Sequence, residues 1–161
     1  MKQYKQIREV DMASLTPLIR EIVGSDKTVE IHVTGTSMTP MLLHQKSTVR
    51  LAAPKQLHIG DLPLYQRENG QYILHRIISV ENGCYVCCGD HQWHPEHGIK
   101  PEQVIAVVTD FRRTQRWCSC KNPVYRGYWH IWLWIRPLRH VVFGGLRRIR
   151  KLWKKEKSSH P

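Results

Sequence analysis

Two stretches of the sequence carry side chains able to do chemistry. The first is T34-G35-T36-S37-M38-T39-P40, where a serine follows a polar β-type run (28–33) and a glycine, with Met and Pro behind it. Such a serine sits where a strand gives way to a tight turn, a position that exposes a nucleophile. Gly35 permits backbone angles that a side chain forbids, and Pro40 suits the first turn of a short helix expected near Thr39. Amides at that turn would point at an incoming carbonyl oxygen, the geometry an oxyanion hole requires. A serine hydroxyl is a weak nucleophile until another side chain takes its proton. Taken alone, a Gly-Thr-Ser turn closing a strand also has an ordinary structural use.

The second stretch is Cys84-x-x-Cys87-Cys88, with His91, His94 and His97 close behind. Thiolates and imidazoles bind zinc, but the paired C-x-x-C spacings of a structural zinc site are missing, and Cys87 and Cys88 would point to opposite faces of a strand. Cysteine is an ordinary buried strand residue, so no metal is expected here.

The elements that must position Ser37 are mostly strands. Runs at 28–34, 47–53, 62–67, 71–80, 84–88 and 104–111 have β character, N69-G70 and N82-G83 mark hairpin turns, and His94 to Pro101 reads as a loop. Before them, Leu15, Leu18, Ile19, Ile22 and Val23 fall at helical spacing, with Asp11 or Ser14 as a cap and Gly24-Ser25-Asp26 as a stop. The predicted fold is mainly β: a compact, partly closed antiparallel sheet domain with a short N-terminal helix and a C-terminal amphipathic helical tail. The expected segments are 1–27, a helix packing on the body; 28–111, the β domain; and 112–161, the tail.

Charge separates the last segment from the rest. Of 25 Lys and Arg and 13 acids, residues 112–161 hold fourteen and one, which leaves eleven and twelve for residues 1–111, so the net +12 belongs to the tail. The tail also has the nearly unbroken aromatic and aliphatic run Y128-W-H-I-W-L-W-I135, interrupted by Arg136-Pro137, and a basic segment after Gly144-Gly145. No stretch reaches the ~18–20 apolar residues a spanning helix needs. Tryptophans beside cations suit a membrane interface, which makes Trp129, Trp132, Trp134, Arg147, Arg148 and Trp153 the expected lipid contacts. Packing on the body or a partner, and sequence-independent binding of nucleic acid, are the other readings of this tail. The five cysteines form an odd set and no secretory leader pattern begins the chain, so a reducing compartment is expected.

The stretches G35-T36-S37-M38-T39-P40, G60-D61-L62, L74-H75-R76-I77-I78 and G89-D90, in that order, resemble the boxes of the signal peptidase I superfamily, which includes the self-cleaving repressors. The resemblance covers residues 29–110. It implies a serine endopeptidase with Ser37 as nucleophile and with the Ser37 amide and the Thr36 hydroxyl as oxyanion donors. Bacterial signal peptidase I and the repressors use a lysine as base, whereas the endoplasmic-reticulum, archaeal and sporulating-bacterial members have a histidine in a stretch similar to L74-H75-R76-I77-I78; no lysine occurs here between Lys55 and Lys100, which implies a Ser37/His75 pair. Imidazole, with an ordinary pKa of ~6.5, can take the hydroxyl proton near neutral pH and return it to the leaving amine. A histidine among apolar strand residues is otherwise an ordinary core or edge residue.

The resemblance also implies an acid that orients His75, either Asp90 or Glu96, and leaves the choice open; Asp61 is expected to support a turn. Met38 and Pro40, beside the nucleophile, are expected to meet the substrate. That substrate would be a leader or precursor peptide added as a strand beside 28–34 or 71–80, cut after small residues, with no metal or organic cofactor. The tail would hold the peptidase at the cytoplasmic face of a membrane, with no specific nucleic acid as partner and the oligomeric state unread. The rival expectation is a non-catalytic module that binds lipid or nucleic acid through its basic aromatic tail.

Overall fold

The structure, a computed structural model, describes residues 11–136. It is mainly β, with two helices, a strongly curled antiparallel sheet and a second small sheet. The first element is α1 (Met12–Gly24), capped by Asp11, whose carboxylate accepts the Ala13 N–H at 3.3 Å. Its buried line is Thr16, Ile19 and Val23, spaced for one helical face, while Leu18 is 50% exposed. Thr16 can occupy the inner face because its hydroxyl donates to the Met12 carbonyl at 2.7 Å.

Strands β1 (Val29–His32), β2 (Thr48–Ala52), β3 (Pro63–Gln66), β4 (Tyr72–Leu74), β8 (Val104–Arg112) and β9 (Trp117–Ser119) make the larger sheet, in the order β1-β2-β8-β3-β4 with β9 also on β8. Strands β5 (Arg76–Glu81), β6 (Cys84–Cys88) and β7 (Glu96–Ile99) make the smaller one. Every pairing is antiparallel. The β5–β6 hairpin turns on Asn82 and Gly83, both at positive φ (50° and 77°), the backbone a two-residue turn of matching twist requires.

Two differences from the sequence reading bear on function. The run 71–80, expected as one strand, breaks at His75: β4 pairs with β3 and β5 with β6, so the histidine stands where the chain passes from one sheet to the other. The expected loop 94–101 contains β7, which pairs with β6 and brings Glu96 opposite Cys87.

Each sheet has its own core. The larger core joins Ile19 and Val23 of α1, Val49 and Leu51, Leu62 and Leu64, and Phe111. The smaller gathers Leu57, Tyr65, Ile77, Cys87, Ile99 and Val104. Strand β3 serves both, because consecutive strand residues face opposite ways: Leu64 enters the first core and Tyr65 the second.

The final element is α2 (Pro123–Trp134), started by Asn122, whose side chain accepts the Val124 N–H at 2.8 Å. Tyr125 and Trp129 lie in the larger core. The Trp129 ring fills the space over Gly60 so closely that a Cβ there would come within 2.4 Å of it. Trp132 is half-buried and donates its indole N–H to the Asp90 carbonyl at 3.2 Å. Trp129, expected at lipid, is therefore covered by the protein and Trp132 partly so, and β9 and α2 belong to the packed body although the sequence places them in the tail. Helical phase is the reason: residues 125, 129 and 132 share the inner face, while Val124, Ile131 and Trp134 share the outer one at 80%, 63% and 76% exposure. Arg147, Arg148 and Trp153 lie outside the described residues. No described helix is long and apolar enough to cross a membrane.

Candidate active site

Ser37 lies in a run of turns after β1. Gly35 takes φ +88° and donates its N–H to His44 Nδ1 at 2.9 Å. The helix expected near Thr39 does not form. Leu42 N–H reaches Met38 O at 2.9 Å, one α-type turn, but the next amide, that of Leu43, is taken by the Ser47 hydroxyl at 2.9 Å, and this competing bond ends the run. Met38 is a correction to the sequence reading. At 2% exposure it packs in the larger core, so it anchors the loop and faces no substrate. Ser37 is half-buried, and Thr36 and Pro40 are exposed. The Ser37 N–H makes no hydrogen bond among the described residues, which leaves it available to an oxyanion.

The loop after β6 comes up against this turn. The His91 N–H donates to the Ser37 carbonyl at 2.7 Å. Gly89, two residues earlier, is the point of closest approach: a Cβ on it would stand 2.6 Å from the Ser37 carbonyl oxygen and 3.1 Å from His75 Nε2. The Ser37 carbonyl and the His75 ring thus border the same glycine, although the two residues are 38 apart in the sequence. Among the described residues no hydrogen bond joins the Ser37 hydroxyl to that ring; catalytic bonds in proteins without substrate are commonly loose and tighten when substrate is bound.

His75 is buried at 3% exposure. Its Nδ1 lies 3.4 Å from the Tyr65 hydroxyl, with the two rings edge to face. Burial pushes the His75 pKa down to about 4; the Glu96 and Asp90 charges act against this and Arg67 acts with it. The ring is therefore neutral at neutral pH.

The two carboxylates occupy different places. Asp90 and Arg76 are both out of solvent, with Arg76 Nε donating to Oδ1 at 2.9 Å and Nη2 to Oδ2 at 2.7 Å. Arg76 Nη1 donates to Gly60 O at 3.1 Å and to the Tyr125 hydroxyl at 2.9 Å, so one guanidinium joins β5, the Gly60 turn, the Asp90 loop and α2. Burial opposes the Arg76 charge, but the bonds to Asp90 and Tyr125 outweigh it and raise its pKa. Asp90, expected as one candidate to orient His75, is held bidentately by Arg76, the residue after that histidine, and its charge is the smallest of the four influences on the ring. Asp61 serves a turn, accepting the His58 N–H at 2.8 Å.

The Glu96 charge acts on the His75 ring more strongly than that of Asp90. The Arg67 fork grips Glu96, Nε donating to Oε1 at 2.9 Å and Nη2 to Oε2, and the neighbouring Tyr65 hydroxyl also favours its charged form. Burial pushes the Glu96 pKa up, but these bonds overcome it and leave the carboxyl below its ordinary range. Arg67 and Glu96 border an open depression of about 360 Å³ that takes in His97 and Gln103 but neither Ser37 nor His75.

Cys87 is buried in the smaller core, where burial raises its thiol pKa to about 12. Among the described residues no group of three or more His, Cys, Asp or Glu side chains is arranged to hold a metal ion. Sequence reasoning missed Tyr65, Arg67 and the structural part of Arg76. An arginine inside the apolar run 73–78 was itself a sign of a buried ion pair; Tyr65 and Arg67 gave no such sign. No protein-family model matches this chain, and no curated protein matches its sequence.

Proposed function

We propose that this protein is a serine endopeptidase of signal-peptidase-like type, with Ser37 as nucleophile and His75 as general base and then general acid. The observation that supports the reading is that the Ser37 backbone carbonyl and His75 Nε2 both border Gly89, in a turn whose Ser37 amide makes no hydrogen bond among the described residues and could serve a developing oxyanion. A neutral buried imidazole accepts the hydroxyl proton as the oxygen attacks the peptide carbonyl, then returns it to the departing amine; water completes the cycle on the acyl-enzyme. No step calls for a cofactor. The substrate fits as an extended strand: β1 and β4 are edges of the larger sheet, each adjoining one partner of the pair, since β1 leads to the Ser37 turn and β4 ends at His75.

The outer face of α2 supports membrane attachment as part of this reading. Val124, Ile131 and Trp134 offer an apolar stripe, and the chain that follows carries nine Lys and Arg against one acid. A leader or precursor peptide at a membrane surface is the substrate class that joins the two features. If the stripe alone mattered, the protein would be a non-catalytic peripheral membrane module.

The test is cleavage of an extended-peptide library, read by mass spectrometry, with small residues before candidate bonds. Wild type is expected to cut, and Ser37→Ala and His75→Ala to lose cutting by ~10³-fold or more. Full activity in either variant removes the peptidase assignment, and vesicle binding without any cleavage would leave the module.

A further inference from the structure

The neutral His75 ring has one proton and two places for it, and only one arrangement serves Ser37. A general base must keep a lone pair on the nitrogen that serves the hydroxyl; Nδ1 is turned to Tyr65 and Nε2 borders Gly89, so Nε2 is the one for Ser37 and the proton must sit on Nδ1. An isolated neutral imidazole gives no such assurance. The surroundings of Nδ1 therefore decide whether the base works.

We propose that Tyr65 fixes the His75 tautomer, with its hydroxyl oxygen accepting Nδ1–H while its own proton is committed to the Glu96 carboxylate. The inference rests on the Ser37/His75 reading and adds a positioning residue to it.

The argument is one of donors and acceptors. An ionised carboxylate only accepts, and Arg67 holds Glu96 in that form through a two-point fork. The Tyr65 hydroxyl lies beside that negative charge, so its proton turns toward the carboxylate, which leaves its oxygen lone pairs for His75 Nδ1 at 3.4 Å. Tyr65 is wholly buried between β3 and the smaller sheet, so its hydroxyl cannot turn to solvent. Burial, helped by Cys87 and Glu96, raises the Tyr65 pKa, so the phenol keeps its proton.

The resulting chain runs Arg67, Glu96, Tyr65, His75, Ser37. During attack the Ser37 proton moves to Nε2, the oxygen forms its bond to the carbonyl carbon, and the protonated ring donates more strongly to Tyr65. The Nδ1 and tyrosine protons stay where they are, so the Glu96 charge stabilises the imidazolium from one residue away. Asp90 is left to hold Arg76, which accounts for two acids near one histidine.

The decisive readout is the ring itself. In ¹⁵N-labelled full-length protein at pH 8, with the His75 resonances assigned by their absence from His75→Gln, wild type is expected to show a protonated Nδ1 and an unprotonated Nε2. Tyr65→Phe removes the acceptor, and Glu96→Ala frees the tyrosine proton to turn to Nδ1; each is expected to populate the Nε2–H form. Glu96 is at the edge of the protein, so that variant retains a folded molecule if loss of the Tyr65 hydroxyl does not. Cleavage in both is expected to fall in kcat by ~10²-fold, the lower range for a general base, with KM little changed.

A wild-type ring already protonated on Nε2, or ring shifts unchanged in both variants, overturns the relay. The two levels separate cleanly. Retained cleavage in Ser37→Ala with the expected ring shifts removes the peptidase reading and leaves the relay. Cleavage lost in Ser37→Ala with unmoved ring shifts removes the relay alone.

Discussion

Arg76 closes on Asp90 with both arms of its guanidinium, 2.9 and 2.7 Å from the two carboxylate oxygens, in a place that water does not reach. Two charges withdrawn from water are tolerated only while they satisfy each other. Arg76→Met should therefore cost about 3–5 kcal/mol by leaving Asp90 buried without its counter-ion, and Asp90→Leu a similar amount. The pair of changes together should cost less than their sum. Urea unfolding of the four proteins at neutral pH measures this; additive losses would mean that the two side chains act independently.

Gly89 is expected to tolerate no side chain. A Cβ there would stand 2.6 Å from the Ser37 carbonyl oxygen, a backbone atom that His91 already holds. Gly89→Ala should part Ser37 from His75, costing about 1–3 kcal/mol as overpacking and most of the cleavage activity. Melting temperature and cleavage rate, measured on the same preparation, check both. Unimpaired cleavage would show that the close approach is irrelevant to catalysis.

Acid should weaken the fold through His75. Its pKa is near 4 when folded and about 6.5 when unfolded, so between those values the unfolded chain binds a proton that the native ring refuses. The His75 contribution to stability is complete above about pH 6.5 and is lost as the pH falls towards 4. His75→Gln should flatten that part of a stability curve measured by denaturant at half-unit pH intervals. An unchanged slope would assign the acid sensitivity to other groups.

The tryptophans of α2 should divide sharply. Trp129 fills the space over Gly60 and is 7% exposed, so Trp129→Ala should cost about 3–5 kcal/mol. Trp134 is 76% exposed, and Trp134→Ser should leave stability within about 0.5 kcal/mol. Sedimentation with phosphatidylserine vesicles should show weaker binding for Trp134→Ser, and binding overall that declines with added salt. Equal vesicle binding by Trp134→Ser and wild type would exclude the outer stripe as a lipid contact.

How much of this was legible in the sequence depended on the range of the signal. The Asp11 cap, the Asn82-Gly83 turn and the serine turn rest on neighbouring residues, and each formed where spacing put it. The break at His75 was not legible, because 71–80 is a continuous β-type run and only pairing with two different sheets divides it. Strand β7 escaped notice because Glu96-His97-Gly98-Ile99 has little β propensity; β6 provides its order. The positions of the two acids depended on fold as well. Nothing local to Asp90 or Glu96 tells which will meet an arginine, and in the fold both do. For α2 the information was present, since the phase of 125, 129 and 132 against 124, 131 and 134 separates a buried face from an open one.

The bond from Arg76 to the Tyr125 hydroxyl bears on how this protein can be shortened. Ending the chain near Asn122 would leave a hole over Gly60 and strip a guanidinium of one of its acceptors. Any loss of cleavage in so short a version would then report collapse beside His75 and say nothing of lipid. A stop codon after Arg136 is the safer cut, because it spares the helix that bolts the histidine's neighbour in place.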